Sequence, residues 1–150
     1  MSGGRSQDWY RLRPDWAVRV VEAAGIRRGE LVVELHPGRA ERLRDRVRDL
    51  DVRVAEMDAT DFRYPRRPVR VLANPPFGIA SSLIRAAIGQ PGVSALDLVL
   101  PRPVAVRWAD GRLRAARRFH GRLGPAVPRR AFSPAPWVDC AVLQLRRRRG

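Results

Sequence analysis

The segment RVLANPPFGIASSLIRAAI, residues 70–88, carries the residue types of this chain best suited to chemistry. It leaves an apolar run and sets Asn74, two prolines and Phe77 together before a helical pattern begins. The Asn74 side-chain carbonyl and a neighbouring backbone carbonyl are two acceptors that can hold both hydrogens of a planar NH2 group. Prolines stiffen such a loop and add no competing backbone N–H, while Phe77 offers a flat face for stacking the ring that carries the amine.

Two acceptors in this position would change the reactivity of the amine. An NH2 group conjugated to a ring is a poor nucleophile because its lone pair is delocalised. Drawing both hydrogens toward a tetrahedral arrangement turns that lone pair toward an electrophile. The alternative is a tight loop in which Asn74 caps the following helix and the prolines only end the strand. We favour the amine-binding interpretation, because Asn-Pro-Pro-aromatic at a strand end is more specific than ordinary turn chemistry.

Alternating strand and helix patterns position this segment. Their order predicts a mostly parallel α/β sheet with helices on both faces, in which ligands bind at the carboxyl ends of the strands. The helical patterns are RPDWAVRVVEAAG, PGRAERLRDRVRDL and IASSLIRAAIG. The strand patterns are ELVVEL, DVRVAEMDATDF, PVRVLAN, ALDLVL and VDCAVLQL.

The last third of the chain is less regular. The segment GRLRAARRFHGRL is basic and compatible with a helix, and GPAVPRRAFSPAPW is typical of a proline-broken loop. The final RRRRG indicates a frayed, solvated charge run. We therefore predict one α/β domain over residues 1–145 and a basic tail over residues 146–150.

Charge is the strongest compositional signal. The 150 residues carry 30 cationic side chains, all arginine, against 15 acidic ones, for a net charge of +15. Arginine binds phosphate bidentately and stacks on bases, so this balance favours RNA or DNA as the partner. A GC-rich genome would also enrich arginine. Such a bias explains arginine in place of lysine but not a twofold excess over acids.

Other classes of protein fit the sequence poorly. No apolar run approaches the roughly 18 residues of a membrane span, and no apolar segment of a secretory signal follows the N-terminus. Cys140 is the single cysteine and cannot form an internal disulfide, which fits a reducing cytoplasm. His36 and His120 lack metal-ligand neighbours in the sequence. We expect a cytoplasmic protein without a metal, and we expect a monomer, although the sequence does not determine the oligomeric state.

A family resemblance sharpens these expectations. The NPPFG after an apolar strand resembles the motif of amino-group methyltransferases that use S-adenosylmethionine. Nearly the whole chain is similar to the ribosomal RNA adenine N6-methyltransferases of the macrolide-resistance (erythromycin-resistance) type, kin of the ribosomal RNA adenine dimethyltransferases. The segments that carry the likeness are RSQDWYRLRPDWAVRVVEAAGIRRGELVV, VELHPGRAERLRDR, DVRVAEMDATDF and AFSPAPWVDCAVLQL. The resemblance implies a Rossmann-like class I methyltransferase sheet, methylation of one adenine of large-subunit ribosomal RNA, and a role in antibiotic resistance.

The resemblance also assigns roles around the target base. Asn74 and the Pro75 carbonyl would hold the adenine amino group, and Phe77 would stack on the base. Phe132, in AFSPAP, would form a second aromatic wall. Phe132 could equally be a residue of the hydrophobic core, and the sequence does not favour one interpretation over the other.

Further roles concern the cofactor. Glu34 would bind the ribose hydroxyls of S-adenosylmethionine, and Asp58 would accept from the amino group of its adenine. Asn74 would be shared between the cofactor and the target base. Glu34 could instead cap a helix, and Asp58 could make an Asx-turn.

The chain departs from the family pattern after its first strand. Those enzymes place a G-x-G loop there, where the methionine end of the cofactor lies against bare backbone. Here Gly38 is the only glycine between Gly29 and Gly78, and Asp58 follows Glu34 by only 24 residues. One strand-helix unit is therefore expected to be missing. ELHPGRA aligns either with the second-strand segment carrying the ribose-binding glutamate, which we favour, or with a degraded glycine loop. The likeness ends at LQLRRRRG, so we also expect the small C-terminal helical domain to be absent.

Three functions remain open from the sequence. The first is S-adenosylmethionine-dependent N6-methylation of a ribosomal RNA adenine, impaired if the missing glycine loop prevents cofactor binding. The second is methylation of another planar NH2 group, in DNA or on a protein glutamine amide. The third is a catalytically inactive, basic RNA-binding remnant that kept the pocket for the target base.

Overall fold

The computed structural model describes residues 10–34, 53–56 and 68–149 of the chain. Six strands in this part form one sheet in the order β2-β1-β3-β4-β6-β5. The strands are β1 (Leu31–Glu34), β2 (Arg53–Glu56), β3 (Val69–Ala73), β4 (Val93–Pro101), β5 (Phe119–Val127) and β6 (Cys140–Arg147). The helices are α1 (Pro14–Ala24), α2 (Ala80–Ile88) and α3 (Arg102–Ala109). None of the helices in this part has the length and apolar run that a membrane crossing requires.

The direction of the strands decides where a ligand can bind. Strands β1 to β4 pair in parallel, whereas β6 is antiparallel to both β4 and β5. The mostly parallel sheet predicted from the sequence is therefore confirmed. The strand order reverses between β1 and β3, and in open α/β sheets ligands bind outside the carboxyl ends of the strands at such a switch point. Glu34 ends β1 there beside Leu72 of β3, two residues before Asn74.

Helices cover both faces of the sheet, as the strand-helix alternation predicted. Successive strand residues point to opposite faces, and the core accordingly forms two clusters. Val71 lies in the cluster that includes Ile84 of α2 and Trp108 of α3. Leu72 lies in the other cluster, which includes Val20 of α1. Helix α1 therefore packs on one face, and α2 and α3 pack on the other.

The first and third helical patterns are confirmed as α1 and α2. Helix α1 begins at Pro14 and is followed by Gly25, whose φ of 65° suits the left-handed C-cap that glycine adopts without strain. The second helical pattern, PGRAERLRDRVRDL, lies outside the described residues. Helix α3 was not predicted, because its start at Arg102 follows directly on β4 and its pattern is short.

The prediction that GRLRAARRFHGRL is compatible with a helix is wrong for most of that segment. A single 3-10 turn, Arg114–Ala116, precedes β5. Strand β5 runs antiparallel to β6 and extends into the segment predicted to be a proline-broken loop. Pairing with a long neighbouring strand outweighs local helix propensity here. Gly121 shows how closely the strand passes α3, since a Cβ at this position would lie 2.8 Å from the Ala109 carbonyl oxygen.

The prediction of a basic tail from residue 146 is also wrong at its start, because β6 continues to Arg147. The Arg147 Nε donates to the Val93 carbonyl at 2.7 Å, and one Arg146 nitrogen lies 2.9 Å from the Asp97 carboxylate. Both arginines therefore belong to the folded domain. Long-range pairing holds them there, and a run of arginines gives no local sign of it.

Asp97 is a fully buried charge in the middle of β4, with 0% of its surface exposed. Arg146 donates to its Oδ1 at 2.9 Å, and the Gln144 side-chain amide donates to the same atom at 3.1 Å. Burial raises the pKa of the Asp97 carboxyl, and the hydrogen bond and charge of Arg146 oppose that shift. Strand β6 thus supplies the cation and the amide that allow a carboxylate at this position.

The same side chains reach the end of α1. Gln144 donates to the Ala23 carbonyl at 2.9 Å, and Arg146 donates to the Ala24 carbonyl at 3.3 Å. The Arg70 side chain also donates to the Ala24 carbonyl. The last carbonyls of a helix lack intrahelical partners and carry partial negative charge, so donors and cations there are stabilising. This cluster fastens α1 to the sheet.

We expect Arg146→Met to lower the free energy of unfolding by about 2–4 kcal/mol, because it leaves Asp97 buried without its cation. Arg149→Met is the matched control, since Arg149 is exposed beyond the end of β6, and it should change stability by less than about 0.5 kcal/mol. Urea unfolding followed by circular dichroism measures both variants. Equal stability of the two would show that the Asp97 cluster does not hold the fold.

Cys140 at the start of β6 should be chemically inert in the folded chain. It is 1% exposed, and burial together with the charge of Asp139 raises the pKa of its thiol to about 12. Since the thiolate is the reactive species, iodoacetamide at mildly alkaline pH should label the native chain far more slowly than the urea-unfolded chain. Mass spectrometry measures the labelling, and equal rates in the two states would contradict the burial.

Candidate functional site at the end of strand β3

Asn74 is the first residue after β3, at the switch point of the sheet. All five residues of β3 are buried, and the Asn74 residue is itself only 4% exposed. Two prolines follow, which donate no backbone hydrogen bond and so end the strand pairing. The chain then makes a 3-10 turn, Phe77–Ile79, before α2 begins at Ala80. The local sequence thus fixes Asn74 at the carboxyl edge of the sheet.

One hydrogen bond fixes the orientation of the Asn74 amide. Its Nδ2 donates to the Tyr10 carbonyl at 2.7 Å. Its Oδ1 is buried and has no hydrogen-bond partner in the described part of the chain. A buried acceptor without a partner costs about 1–3 kcal/mol, so it calls for an explanation. An amino group of a ligand would supply the missing donor.

The interpretation of Asn74 as a helix cap is wrong. The N-cap residue of α2 is Ile79, and no side chain bonds to the first amides of that helix. The turn that precedes the helix is likewise without a side-chain cap. Asn74 is therefore not used to begin α2, and its free oxygen remains available for another role.

Phe77 lies beside Tyr10 at the same site. The two ring centroids are 5.2 Å apart with an angle of 39° between the ring planes. Phe77 is half-buried and packs against the core cluster on the α1 face. Tyr10 thus holds the Asn74 amide with its carbonyl and contacts Phe77 with its ring. Since Asn74 is 4% exposed, a base would reach Oδ1 only after covering groups move aside.

Phe132 takes the position of a core residue, one of the two alternatives that the sequence left open. It is 1% exposed and packs in the same cluster as Val20 and Leu72. Its backbone bridges Leu12. Phe132 and Phe77 are thus brought to the same face of the sheet, but the Phe132 ring has no free surface on which a base could stack without rearrangement of this loop.

The residues expected to bind the cofactor are only partly within the described structure. The backbone of Glu34 ends β1 at the switch point, as a ribose-binding carboxylate requires. Asp58 lies outside the described residues. Carboxylates fit the hydroxyl and amino donors of the nucleoside half of S-adenosylmethionine. For the methionine half, the sequence after β1 offers only Gly38 where a glycine-rich loop would be needed.

A cavity of about 240 Å³ lies at the opposite edge of the sheet, near the amino ends of β1, β3 and β4. Ligands of open α/β sheets bind at the carboxyl ends, so this cavity is separate from the Asn74 site. Its lining residues are Gly29, Glu30, Leu31, Pro68, Arg70 and Ser94. Within the described ranges, no three His, Cys, Asp or Glu side chains come together in a way that could hold a metal ion.

The segment at residues 10–13 is the part of the site that sequence reasoning missed. Besides the Tyr10 contact to Asn74, the Arg13 amide donates to the Ala131 carbonyl at 2.8 Å, and the Ser133 amide donates to the Arg11 carbonyl at 2.9 Å. In each contact residues 10–13 take part through backbone atoms, and the partner is more than 60 positions away along the chain. No side-chain pattern in the sequence marks them.

Known proteins of similar sequence carry the names of ribosomal RNA methyltransferases. No family model matches the chain. The chain is 31% identical to the ribosomal RNA small subunit methyltransferase A of Deinococcus radiodurans, over 84% of this chain and 55% of that protein. It is 30% identical to an rRNA adenine N-6-methyltransferase of Corynebacterium diphtheriae, over 83% of this chain and 51% of that protein. The chain thus resembles ribosomal RNA adenine methyltransferases in sequence. It spans about half the length of these curated relatives.

Two solved structures share the fold of this chain. The 23S rRNA methyltransferase ErmE superposes with a TM-score of 0.70 at 23% identity, covering 93% of this chain and 70% of ErmE. A dimethyladenosine transferase from Plasmodium falciparum gives a TM-score of 0.68 at 21% identity, covering 91% of this chain and 62% of that protein. The predicted Rossmann-like class I methyltransferase sheet is thereby confirmed.

We expect isothermal titration calorimetry with S-adenosylmethionine to show binding that is weaker than micromolar. The physical reason is that side chains would occupy the space against which the methionine end lies in a glycine-rich loop. S-adenosylhomocysteine, which lacks the transferred methyl group, is the matched ligand control and should bind equally weakly. A micromolar or tighter dissociation constant for either ligand would mean that other residues replace the loop.

Proposed function

We propose that this chain methylates N6 of an unpaired adenine in ribosomal RNA, with S-adenosylmethionine as the methyl donor. The observation that carries the proposal is the Asn74 amide, which is buried at the switch point with its oxygen unpartnered in the described part of the chain. The donor end of the same amide is held by the Tyr10 carbonyl. The similarity to named ribosomal RNA adenine methyltransferases supports the choice of base and of nucleic acid.

The mechanism follows from the orientation of that amide. Asn74 Oδ1 and the Pro75 carbonyl accept the two hydrogens of the adenine amino group. The lone pair on the nitrogen is then directed away from the ring plane, and the nitrogen forms the new C–N bond before it loses a proton to water. S-adenosylmethionine, when bound, would supply the electrophilic methyl group, whose bond to sulfur breaks as the bond to nitrogen forms, and S-adenosylhomocysteine would leave. No side chain has to act as a strong base before the bond forms.

The remaining roles position the two substrates. Phe77 stacks on the extruded adenine, because it lies in the turn that follows Asn74 and its ring is only half-buried. Glu34 holds the cofactor ribose, and Asp58 accepts from the amino group of the cofactor adenine. Asn74 contacts both substrates. Phe132 forms a second wall for the base only in a state in which its loop has opened.

A second candidate function is a basic RNA-binding protein that accepts the base without methylating it. One observation favours it: Gly38 is the single glycine in the stretch after β1, where a glycine-rich loop would hold the cofactor. The net charge of +15 suits RNA binding under either function. The two candidates differ in one product, methylated adenine in ribosomal RNA.

Mass spectrometry of ribosomal RNA from cells that express the chain tests the proposal. We expect N6-methylated adenine with the wild-type chain and none with Asn74→Ala, because the variant removes the oxygen that grips the amine. RNA affinity of Asn74→Ala should stay within about twofold of wild type, since phosphate contacts dominate affinity. Gln90→Ala, which removes another side-chain amide away from the site, should keep full methylation.

Other outcomes separate the candidates. RNA binding by the wild-type chain without methylated adenine would support the second candidate and refute the first. A collapse of RNA affinity in Asn74→Ala would contradict the amine-gripping role, whatever the methylation result.

A further inference from the structure

We infer that Trp137 is a stacking platform for an unpaired RNA base adjacent to the target adenine, with the surrounding arginines holding the phosphates. The inference rests on the proposed function, because it takes RNA as the partner, and it adds the element that contacts a neighbouring nucleotide. Neither local pattern nor the resemblance assigns a role to this residue.

The exposure of Trp137 is the first observation. Its surface is 78% exposed, the highest value among the three large exposed hydrophobic residues in the described part of the chain. The others are Ile79 at 43% and Val106 at 41%. By contrast, Trp108 is 3% exposed in the core. An aromatic ring left open to solvent is the surface on which nucleobases stack without regard to sequence.

The backbone that carries Trp137 is held on both sides. The Arg129 Nε donates to the carbonyl of Pro136 at 3.0 Å, and Pro136 is buried. The Asp139 carboxylate accepts from the Arg129 amide at 2.8 Å, and the Asp139 carbonyl accepts from the Arg102 amide at 3.0 Å. The exposed ring therefore projects from a fixed loop. A preorganised aromatic anchor loses little conformational entropy on binding.

The platform lies at the same edge of the sheet as Asn74. Cys140 at the start of β6 pairs with Pro101 at the carboxyl end of β4, so the loop before β6 is at the edge where β3 ends. Strands β3 and β6 are separated by β4 alone, which places them about 10 Å apart. Residues 10–13 join the two loops through the bonds from Asn74 to Tyr10 and from Ser133 to Arg11.

The positive charge at this edge favours RNA as the ligand. The Asp139 carboxylate already accepts a hydrogen bond from the Arg129 backbone amide, so it repels a polyanion less than a free carboxylate would. Exposed arginines paired with a flat aromatic ring are the combination that binds single-stranded nucleic acid. The exposed arginines of the edge are Arg11, Arg13, Arg102, Arg129 and Arg130.

Fluorescence anisotropy with a labelled single-stranded RNA oligonucleotide, containing one adenine flanked by uridines, tests the inference on the full chain. We expect Trp137→Ala to weaken binding by roughly 5- to 100-fold, from the usual contribution of one base–aromatic stack. Trp137→Phe should recover most of the affinity. Val106→Ala, which also truncates an exposed apolar side chain, should bind like the wild type. Circular dichroism confirms that each variant is folded.

Two further measurements identify stacking as the cause. Removing the base next to the adenine, with an abasic nucleotide, should weaken binding to the wild-type chain but not to Trp137→Ala. The slope of log affinity against log salt should be unchanged in Trp137→Ala but reduced by about one in Arg130→Ala, if Arg130 contacts a phosphate. A lower slope in Trp137→Ala would mean that the variant disturbs the arginines and would overturn the stacking role.

The result also separates this inference from the proposed function. Unchanged affinity in Trp137→Ala, with methylation intact, would overturn the platform alone. No RNA affinity in the wild-type chain would overturn both proposals. Binding of the wild-type chain to anionic lipid vesicles in preference to the RNA would identify the surface as a membrane contact and refute the platform.

Discussion

The hydrogen bond from Asn74 Nδ2 to the Tyr10 carbonyl is the constraint on which the site depends. A side-chain amide has a donor end and an acceptor end, and fixing the donor end decides which way the acceptor points. The oxygen is left buried and unpartnered among the described residues, at the switch point of the sheet. A group that offers N–H donors there gains the interaction that the folded chain by itself lacks.

Residues 10–13 extend this constraint to a second loop. Their backbone bonds reach Ala131 and Ser133, so the loop after β3 and the loop before β6 are tied to one segment. Asn74 and the arginine-rich edge therefore have a fixed relation to each other. That relation is what a single strand of RNA would need in order to contact both at once.

Arginine serves two separate purposes in this chain. Arg70 and Arg146 are directed inward, where they satisfy the end of α1 and the buried Asp97. Arg130 and its neighbours at the carboxyl edge are exposed. The net charge is therefore larger than the charge that is available to bind a polyanion, because Arg70 and Arg146 hold helix α1 on the sheet.

Short-range patterns in the sequence were sufficient to predict the local elements and the place of Asn74. Hydrophobic runs and end signals were enough to predict α1, α2 and most of the sheet, because those patterns act over a few residues. The three-dimensional fold was needed to establish that the segment before β6 contains a further strand, that Phe132 is buried, and that Arg146 lies within β6. It also decided that Tyr10 holds Asn74. Each of these features depends on contacts between residues that are far apart in the sequence. The hydrophobic periodicity of a short segment does not depend on such contacts and therefore cannot predict them.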